Sequence, residues 1–410
     1  MFLWGFYIPP QGKFKEGDRV LKVLSLFSGI GAFEKALTNL EVDYELIGYC
    51  EIDKYASESY SAIHGVSEAM NLGDITKVNE KSLPKDIDLI TYGFPCQDIS
   101  LAGKQQGLFN DDGSQTRSGL FFEALRIIEE TRPKIAIAEN VKNLISKKFN
   151  AQFQVVLASL ESAGYNNYYY QILNAKDFGI PQNRERVFIV SIRKDIDTGL
   201  FKFPEPFPLD KRLKDLLESE VDEKYYLSSK ALEKMTLSFD KAGKNLIDIV
   251  GHSGTGGQRE HIHTIDGGIG ALSATDYKQP KQIVINQIGQ MYPNSGNPQA
   301  GRIYSAEGIS PTMDTCSGGN RMPKILTPEN TKKGYTETVK DGSINFDLQI
   351  RKLTPKECFR LMGFDDESFH KAEAVNSNTQ LYKQAGNSIV VDVLKELFCM
   401  MLDENGDIYV

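Results

Sequence analysis

The chain has 410 residues, room for one large core with an inserted module, and its 40% hydrophobic and 25% charged side chains are ordinary for a globular protein. No apolar run approaches the roughly 20 residues needed to cross a bilayer, which excludes a membrane-spanning helix. A net charge of −8 and a pI near 5.4 exclude a chain that coats nucleic acid by bulk electrostatics, though not one with a local basic face.

The segment Met1-Phe2-Leu3-Trp4-Gly5-Phe6-Tyr7-Ile8-Pro9-Pro10 is apolar and aromatic, with no basic lead and no small-residue cleavage site. It is expected to pack on the core or a partner rather than act as a signal peptide. Val20-Leu21-Lys22-Val23-Leu24-Ser25-Leu26-Phe27 predicts a first strand, running into Ser28-Gly29-Ile30-Gly31 and a helix over 32–40. A glycine turn at a helix N-terminus lets backbone N–H groups approach a ligand closely, although a short GxG does not by itself specify a cofactor. The next strand, Tyr44-Glu45-Leu46-Ile47-Gly48-Tyr49-Cys50, ends at Glu51, about twenty residues past the glycines, where a carboxylate can accept from both ribose hydroxyls. After a helix over 54–64, Gly73-Asp74-Ile75 places an acid that suits an adenine amino group, or else a turn or helix cap. With neither GxGxxG nor a Walker lysine, this nucleoside pocket favours S-adenosylmethionine over NAD and ATP.

The apolar run Ile87-Asp88-Leu89-Ile90-Thr91-Tyr92 predicts a strand of a parallel sheet, stopped by Gly93-Phe94-Pro95, and Cys96 stands at its carboxyl end. Ligands gather at that edge of open α/β sheets, so the thiol is either a presented nucleophile or a side chain that merely packs. The polar, glycine-rich stretch 98–118 reads as an active-site lid, and 120–131 as a helix. Ile135-Ala136-Ile137-Ala138 is a fourth buried strand that delivers Glu139-Asn140-Val141 to the same edge, and a carboxylate ending an apolar strand points to catalysis or binding. A helix over 149–163, a strand over 168–173, the loop Gly179-Ile180-Pro181-Gln182-Asn183-Arg184-Glu185-Arg186 and the strand Val187-Phe188-Ile189-Val190-Ser191 continue the pattern. Taken alone, the charged loop also suits a solvated connection with a surface salt bridge.

Composition changes at Pro204-Glu205-Pro206-Phe207-Pro208, and from there to residue 345 glycines and short β-type runs predominate. Gly268-Ile269-Gly270-Ala271-Leu272-Ser273-Ala274-Thr275 recurs in degenerate form as Gly308-Ile309-Ser310-Pro311-Thr312-Met313-Asp314-Thr315, which suits paired β-loop units rather than a solenoid. Arg259, Lys278, Lys281, Arg302, Arg321 and Lys324 lie in or beside the copies, but Glu260, Asp266, Asp276, Glu307 and Asp314 leave a mixed surface. The α/β character returns at Arg351-Lys352-Leu353-Thr354-Pro355-Lys356-Glu357, where Thr354, Pro355 and Glu357 spell a capping box, and Gln384-Ala385-Gly386-Asn387-Ser388 precedes a helix over 390–402. Cys50, Cys96, Cys316, Cys358 and Cys399 are odd in number and never form CxxC, which argues for a reducing cytosol and against disulfides or structural zinc. His252, His261 and His263 lie close together without a spacing that specifies a ligand set, and no metal is expected.

Read in order, Phe27-Ser28-Gly29-Ile30-Gly31, Glu51, Gly73-Asp74-Ile75, Pro95-Cys96-Gln97, Glu139-Asn140-Val141, Gln182-Asn183-Arg184-Glu185-Arg186, Arg351-Lys352-Leu353-Thr354-Pro355 and Gly386-Asn387-Ser388 resemble the motif series of cytosine-C5 DNA methyltransferases of the bacterial or phage type. The likeness covers 20–410 apart from the section before Arg351, which in that family is the target recognition domain. It implies an α/β, Rossmann-like S-adenosylmethionine-dependent methyltransferase sheet built from 1–200 (with 1–18 as an extension) and 346–410. A small, mostly irregular or β recognition domain over 201–345 is inserted between them.

The resemblance also implies roles. Cytosine C5 is a poor nucleophile, so the Cys96 thiolate adds at C6, Glu139 neutralises charge pushed toward N3, Arg186 holds the cytosine O2 and Arg184 supports the motif. Phe27, Gly29, Ile30 and Gly31 hold the methionine end of the cofactor, Glu51 the ribose, Ile52 and Ile75 the adenine faces, and Asp74 the adenine amino group. Asn387 and Ser388 lie toward the methionine carboxylate, with Pro95 and Leu120 in the same set. Gln97 and Ser100 face nucleic acid, Arg259, Arg302 and Arg321 are assigned to it from their context in the recognition section, and the target base is flipped out beneath the lid. The implied partner is double-stranded DNA, bound by a monomer in the cytoplasm at the nucleoid. Alternatives are the same chemistry on tRNA, disfavoured by the repeat-bearing insert, and a silent DNA-binding regulator, disfavoured by the presence of both Cys96 and Glu139.

Overall fold

A computed structural model describes residues 20–96, 98–99, 107–110, 112, 114, 116–225, 249–252, 261–263, 287–290, 302–305, 324–328, 348–403 and 407–410. The N-terminal aromatic segment, both copies of the repeat and much of the expected lid lie outside the described residues.

Six strands make the main sheet: β1 (Leu21–Leu26), β2 (Tyr44–Cys50), β3 (Leu89–Tyr92), β4 (Ile135–Val141), β5 (Tyr165–Asn174) and β6 (Glu185–Arg193), in the order β2-β1-β3-β4-β6-β5. The first four run parallel, and β6 is antiparallel to both β4 and β5. Between them lie α1 (Ala32–Asn39), α2 (Lys54–His64), α3 (Phe121–Thr131) and α4 (Asn150–Ser162), and after the insert come α5 (Pro355–Leu361), α6 (Asp366–Glu373), α7 (Asn378–Asn387) and α8 (Val391–Cys399).

The central strands β3 and β4, and the middle of β6, are nearly continuous apolar runs because helices cover both faces of the sheet. Side chains alternate between two cores: Ile135, Ile137, Phe188 and Val190 join the core that holds α1 and the C-terminal helices, whereas Ala136, Ala138, Val187 and Ile189 join the one that holds α3 and α4. Phe201 and Leu213, past the last strand, also belong to the first core.

Two details differ from the sequence reading. β4 runs past Ala138 to Val141, so Glu139 is held inside the ladder opposite Phe188 instead of lying beyond the strand. Gln384 to Asn387 form the last turn of α7, a helix whose apolar face is only Leu381, Tyr382 and Ala385. Thr354 makes both bonds of its capping box, accepting from Glu357 N–H at 3.2 Å while the Glu357 carboxylate accepts from Thr354 N–H at 2.8 Å. Within the insert, β7 (Ile249–His252) pairs antiparallel with β8 (His261–His263), opposing His252 to His261. β9 (Gln287–Gln290), β10 (Arg302–Ser305), β11 (Lys324–Pro328) and β12 (Leu348–Lys352) form a four-stranded sheet. No helix among the described residues is long and apolar enough to cross a membrane.

Candidate active site

Strand register gathers the site. Leu26 of β1 pairs with Cys50 of β2 and Tyr92 of β3, and Tyr92 pairs with Ala138 of β4, so four parallel strands come level with one another at their carboxyl ends. The turn from Phe27, Glu51, the Gly93 to Cys96 segment and Glu139 therefore share one edge of the sheet. Because β6 is antiparallel, its amino end reaches the same edge, and Arg186 stands opposite Val141.

Arg186 Nε lies 3.0 Å from Glu139 Oε1, with both side chains largely buried. Burial pushes the Glu139 carboxyl above its ordinary range, against the pull of Arg186 and Arg184. Burial likewise raises the Cys96 thiol; Arg186 and Arg184 oppose that rise and Glu139 adds to it. The resting thiol is thus protonated, next to two guanidinium groups that favour its anion. The segment is braced from behind: Asn140 donates to the Phe94 carbonyl at 3.0 Å, and Asn143 donates to that of Ile99 at 2.6 Å. Gly93 lies against the acid, with Glu139 Oε2 3.5 Å from where a Cβ would stand, an ordinary contact distance.

Arg184 is buried, and its Nη2 donates to the carbonyls of Gly386 at 3.1 Å and Ser388 at 2.7 Å, joining the arginine loop to the end of α7. Burial and the nearby Arg186 hold its guanidinium well below the usual arginine range. Its backbone is fixed by Asn174, which accepts from Arg184 N–H at 3.0 Å.

At the neighbouring strand ends, Phe27, Gly29 and Gly31 all take positive φ, at 53°, 56° and 78°. Ile30 is buried between the glycines. Glu51 accepts from Gly29 N–H at 2.8 Å through one oxygen and from Asp53 N–H at 2.7 Å through the other, while Asn71 bridges both backbone groups of Glu51. Burial raises the Glu51 carboxyl, and those N–H donors oppose the rise. Ile52 beside it is 76% exposed, whereas Ile75 is 5% exposed and belongs to the core under α3. Asp74 caps the turn at Ile75, accepting from Thr76 N–H at 3.1 Å, and its hydrogen bonds to Thr76 hold its carboxyl below the ordinary range. Pro95 and Leu120 are half-buried, Asn387 is exposed at the end of α7, and Ser388 is buried behind it.

These residues suit a nucleoside. Gly29 N–H points at the carboxylate that would face ribose, nothing lies within 4 Å of a Cβ built on Gly29, and Ile52 offers a bare apolar surface. Gln97, Ser100, Arg259 and Arg321 lie outside the described residues, and Arg302 sits in β10 opposite Gln290. Among the described residues, no group of three or more His, Cys, Asp or Glu could hold a metal ion. The bracing roles of Asn71, Asn140 and Asn143 are not legible in sequence, because a lone asparagine reads as a turn residue until its partner strand is placed.

A family model described as C-5 cytosine-specific DNA methylase matches residues 21–402. The orphan methyltransferase M.SPBetaI of Bacillus phage SPbeta is 35% identical over 463 aligned residues, spanning 92% of this chain and 96% of that protein. The type II methyltransferase M.HhaI of Haemophilus parahaemolyticus is 34% identical, spanning 92% of each. Among solved structures, the Entamoeba histolytica methyltransferase EhMeth shares the fold with a TM-score of 0.57 at 15% identity, over 93% of this chain and 98% of that one. A putative DNA modification methyltransferase from an E. coli prophage does so with 0.50 at 19% identity, over 92% and 97%. With the family model matched along nearly the whole described core, the chain belongs to the C-5 cytosine-specific DNA methylase family.

Proposed function

We propose that the chain methylates C5 of a cytosine flipped out of duplex DNA, using S-adenosylmethionine and a covalent bond from Cys96 to cytosine C6. The observation that carries this reading is the meeting of Cys96, Glu139 and Arg186 at one sheet edge, beside the turn at Gly29 and the carboxylate of Glu51. Cys96 loses its proton and adds to C6, which makes C5 nucleophilic. Glu139, whose burial favours the acid form, shares its proton with N3 as charge accumulates there, and Arg186 holds both Glu139 and the base oxygen O2. When bound, S-adenosylmethionine supplies an electrophilic methyl group. Loss of the C5 proton and departure of the Cys96 thiolate then restore the aromatic ring.

Gly29, Gly31, Glu51, Ile52, Asp74 and Asn387 hold the cofactor in this reading, and the segment 201–345 carries target recognition. A duplex bearing 5-fluorocytosine at the target should trap a covalent adduct at Cys96, because fluorine cannot leave as the proton does. Cys96→Ser should lose turnover by at least about a thousandfold while keeping cofactor affinity within a few fold. Methyl transfer from labelled cofactor, compared on duplex DNA and on tRNA, decides the substrate, and label confined to tRNA would sink the DNA reading.

A further inference from the structure

Behind the site, α7 is fastened to α2 by side chains that neither the cofactor nor the base would touch. Gln384 is 5% exposed and uses both ends of its amide: Oε1 accepts from Ser59 Oγ at 2.9 Å and Nε2 donates to the Tyr55 carbonyl at 2.9 Å. Asn376, just before α7, donates to the same carbonyl at 2.9 Å and to Ser59 Oγ at 3.0 Å. Lys383 pairs with Asp53, the N-cap of α2.

Each end of this seam leads to one half of the site. Asp53 N–H donates to Glu51, which in turn accepts from Gly29 N–H. At the other end, the carbonyls of Gly386 and Ser388 hold Arg184, whose charge acts on Glu139 and Cys96. A shift of α7 against α2 would therefore move the cofactor edge relative to the base edge, since helices packed this tightly shift as units. We propose that Gln384 is a positioning residue, a latch through which α7 and α2 hold the cofactor half and the base half of the site in register. The proposal rests on the methyltransfer reading for what the two halves bind.

The test uses the full chain as wild type, Gln384→Leu, Ser59→Ala and the double variant. Two quantities are measured: the Kd for S-adenosylhomocysteine by calorimetry, and the rate of covalent capture of a 5-fluorocytosine duplex at saturating S-adenosylmethionine, whose methyl group on C5 is what blocks release of Cys96. Gln384→Leu should weaken S-adenosylhomocysteine about tenfold, because the edge at Asp53, Glu51 and Gly29 is no longer held in its binding geometry. It should also slow capture at saturating S-adenosylmethionine, because the methyl donor and the base are no longer held in register. Ser59→Ala should shift both in the same direction by less, and the double variant should fall short of the sum. A lowered melting temperature with Kd and capture rate at wild-type values would mean that the seam only stabilises the fold, and would overturn the proposal. Should Gln384→Leu fail to fold, an unchanged Kd in Ser59→Ala overturns it alone. A wild-type chain that binds the nucleoside but captures no fluorinated cytosine in the presence of S-adenosylmethionine defeats the functional reading instead, and the Kd comparison still decides the latch.

Discussion

Gly31 shows how much one residue can carry. Its φ of 78° belongs to the left-handed region, and a Cβ there would collide with His64 Nε2 and crowd Tyr60. His64 cannot easily yield, because it is packed against Tyr60 and hydrogen-bonded to the Ile30 carbonyl at 3.0 Å, and burial holds its imidazole down at about 4, a neutral ring at neutral pH. Gly29 has similar φ but open space around it. Gly31→Ala should therefore cost more than the roughly 1–3 kcal/mol of backbone strain that Gly29→Ala incurs, and weaken the cofactor as the turn shifts. Thermal melts of the two variants, with calorimetric Kd values for S-adenosylhomocysteine, check this; equal destabilisation would mean that His64 simply moves aside. The sequence exposes the glycines, but only the fold places His64 behind one of them.

At the scale of elements, local chemistry is readable wherever it is self-contained. The strands of the main sheet announce themselves as apolar runs because both faces are covered, and α5 announces its start because Thr354, Pro355 and Glu357 satisfy one another within four residues. Thr354→Ala should cost about 1 kcal/mol, seen as a lower midpoint in denaturant with an unchanged slope. α7 is not readable in this way. Gln384 on its buried face, and Asn376 just before it, bond to polar partners on α2, so the apolar stripe of the helix is cut down to Leu381, Tyr382 and Ala385. Glu139 reads in sequence as a strand-end acid, yet the ladder carries it further into the sheet, because β6 continues pairing through Val141.

Across the whole molecule, the two ends of the described chain share one core. Phe33 of α1 and Phe398 of α8 meet edge to face with ring centroids 6.3 Å apart, and Leu394 and Leu397 lie fully buried in the same core. Phe398→Ala should cost about 3–5 kcal/mol and lower the whole transition together, since the C-terminal helices and the first strands are one cooperative unit. Denaturation monitored by circular dichroism and by a fluorophore near α3 should give coincident curves; separate transitions would show that the C-terminal helices unfold on their own.

The sequence by itself determined the strands, the glycine turn, the capping box and the ordered motifs, because each depends on neighbours within a few residues. Its own strand could leave Cys96 only as an even choice between packing and chemistry. The tertiary structure decided what surrounds that thiol: parallel register levels four strand ends, an antiparallel strand brings Arg186 within 3.0 Å of Glu139, and α7 reaches back from the far end of the chain to hold Arg184. Those contacts join residues tens to hundreds of positions apart, and their geometry arises from sheet pairing and helix packing, which no local pattern of residues encodes.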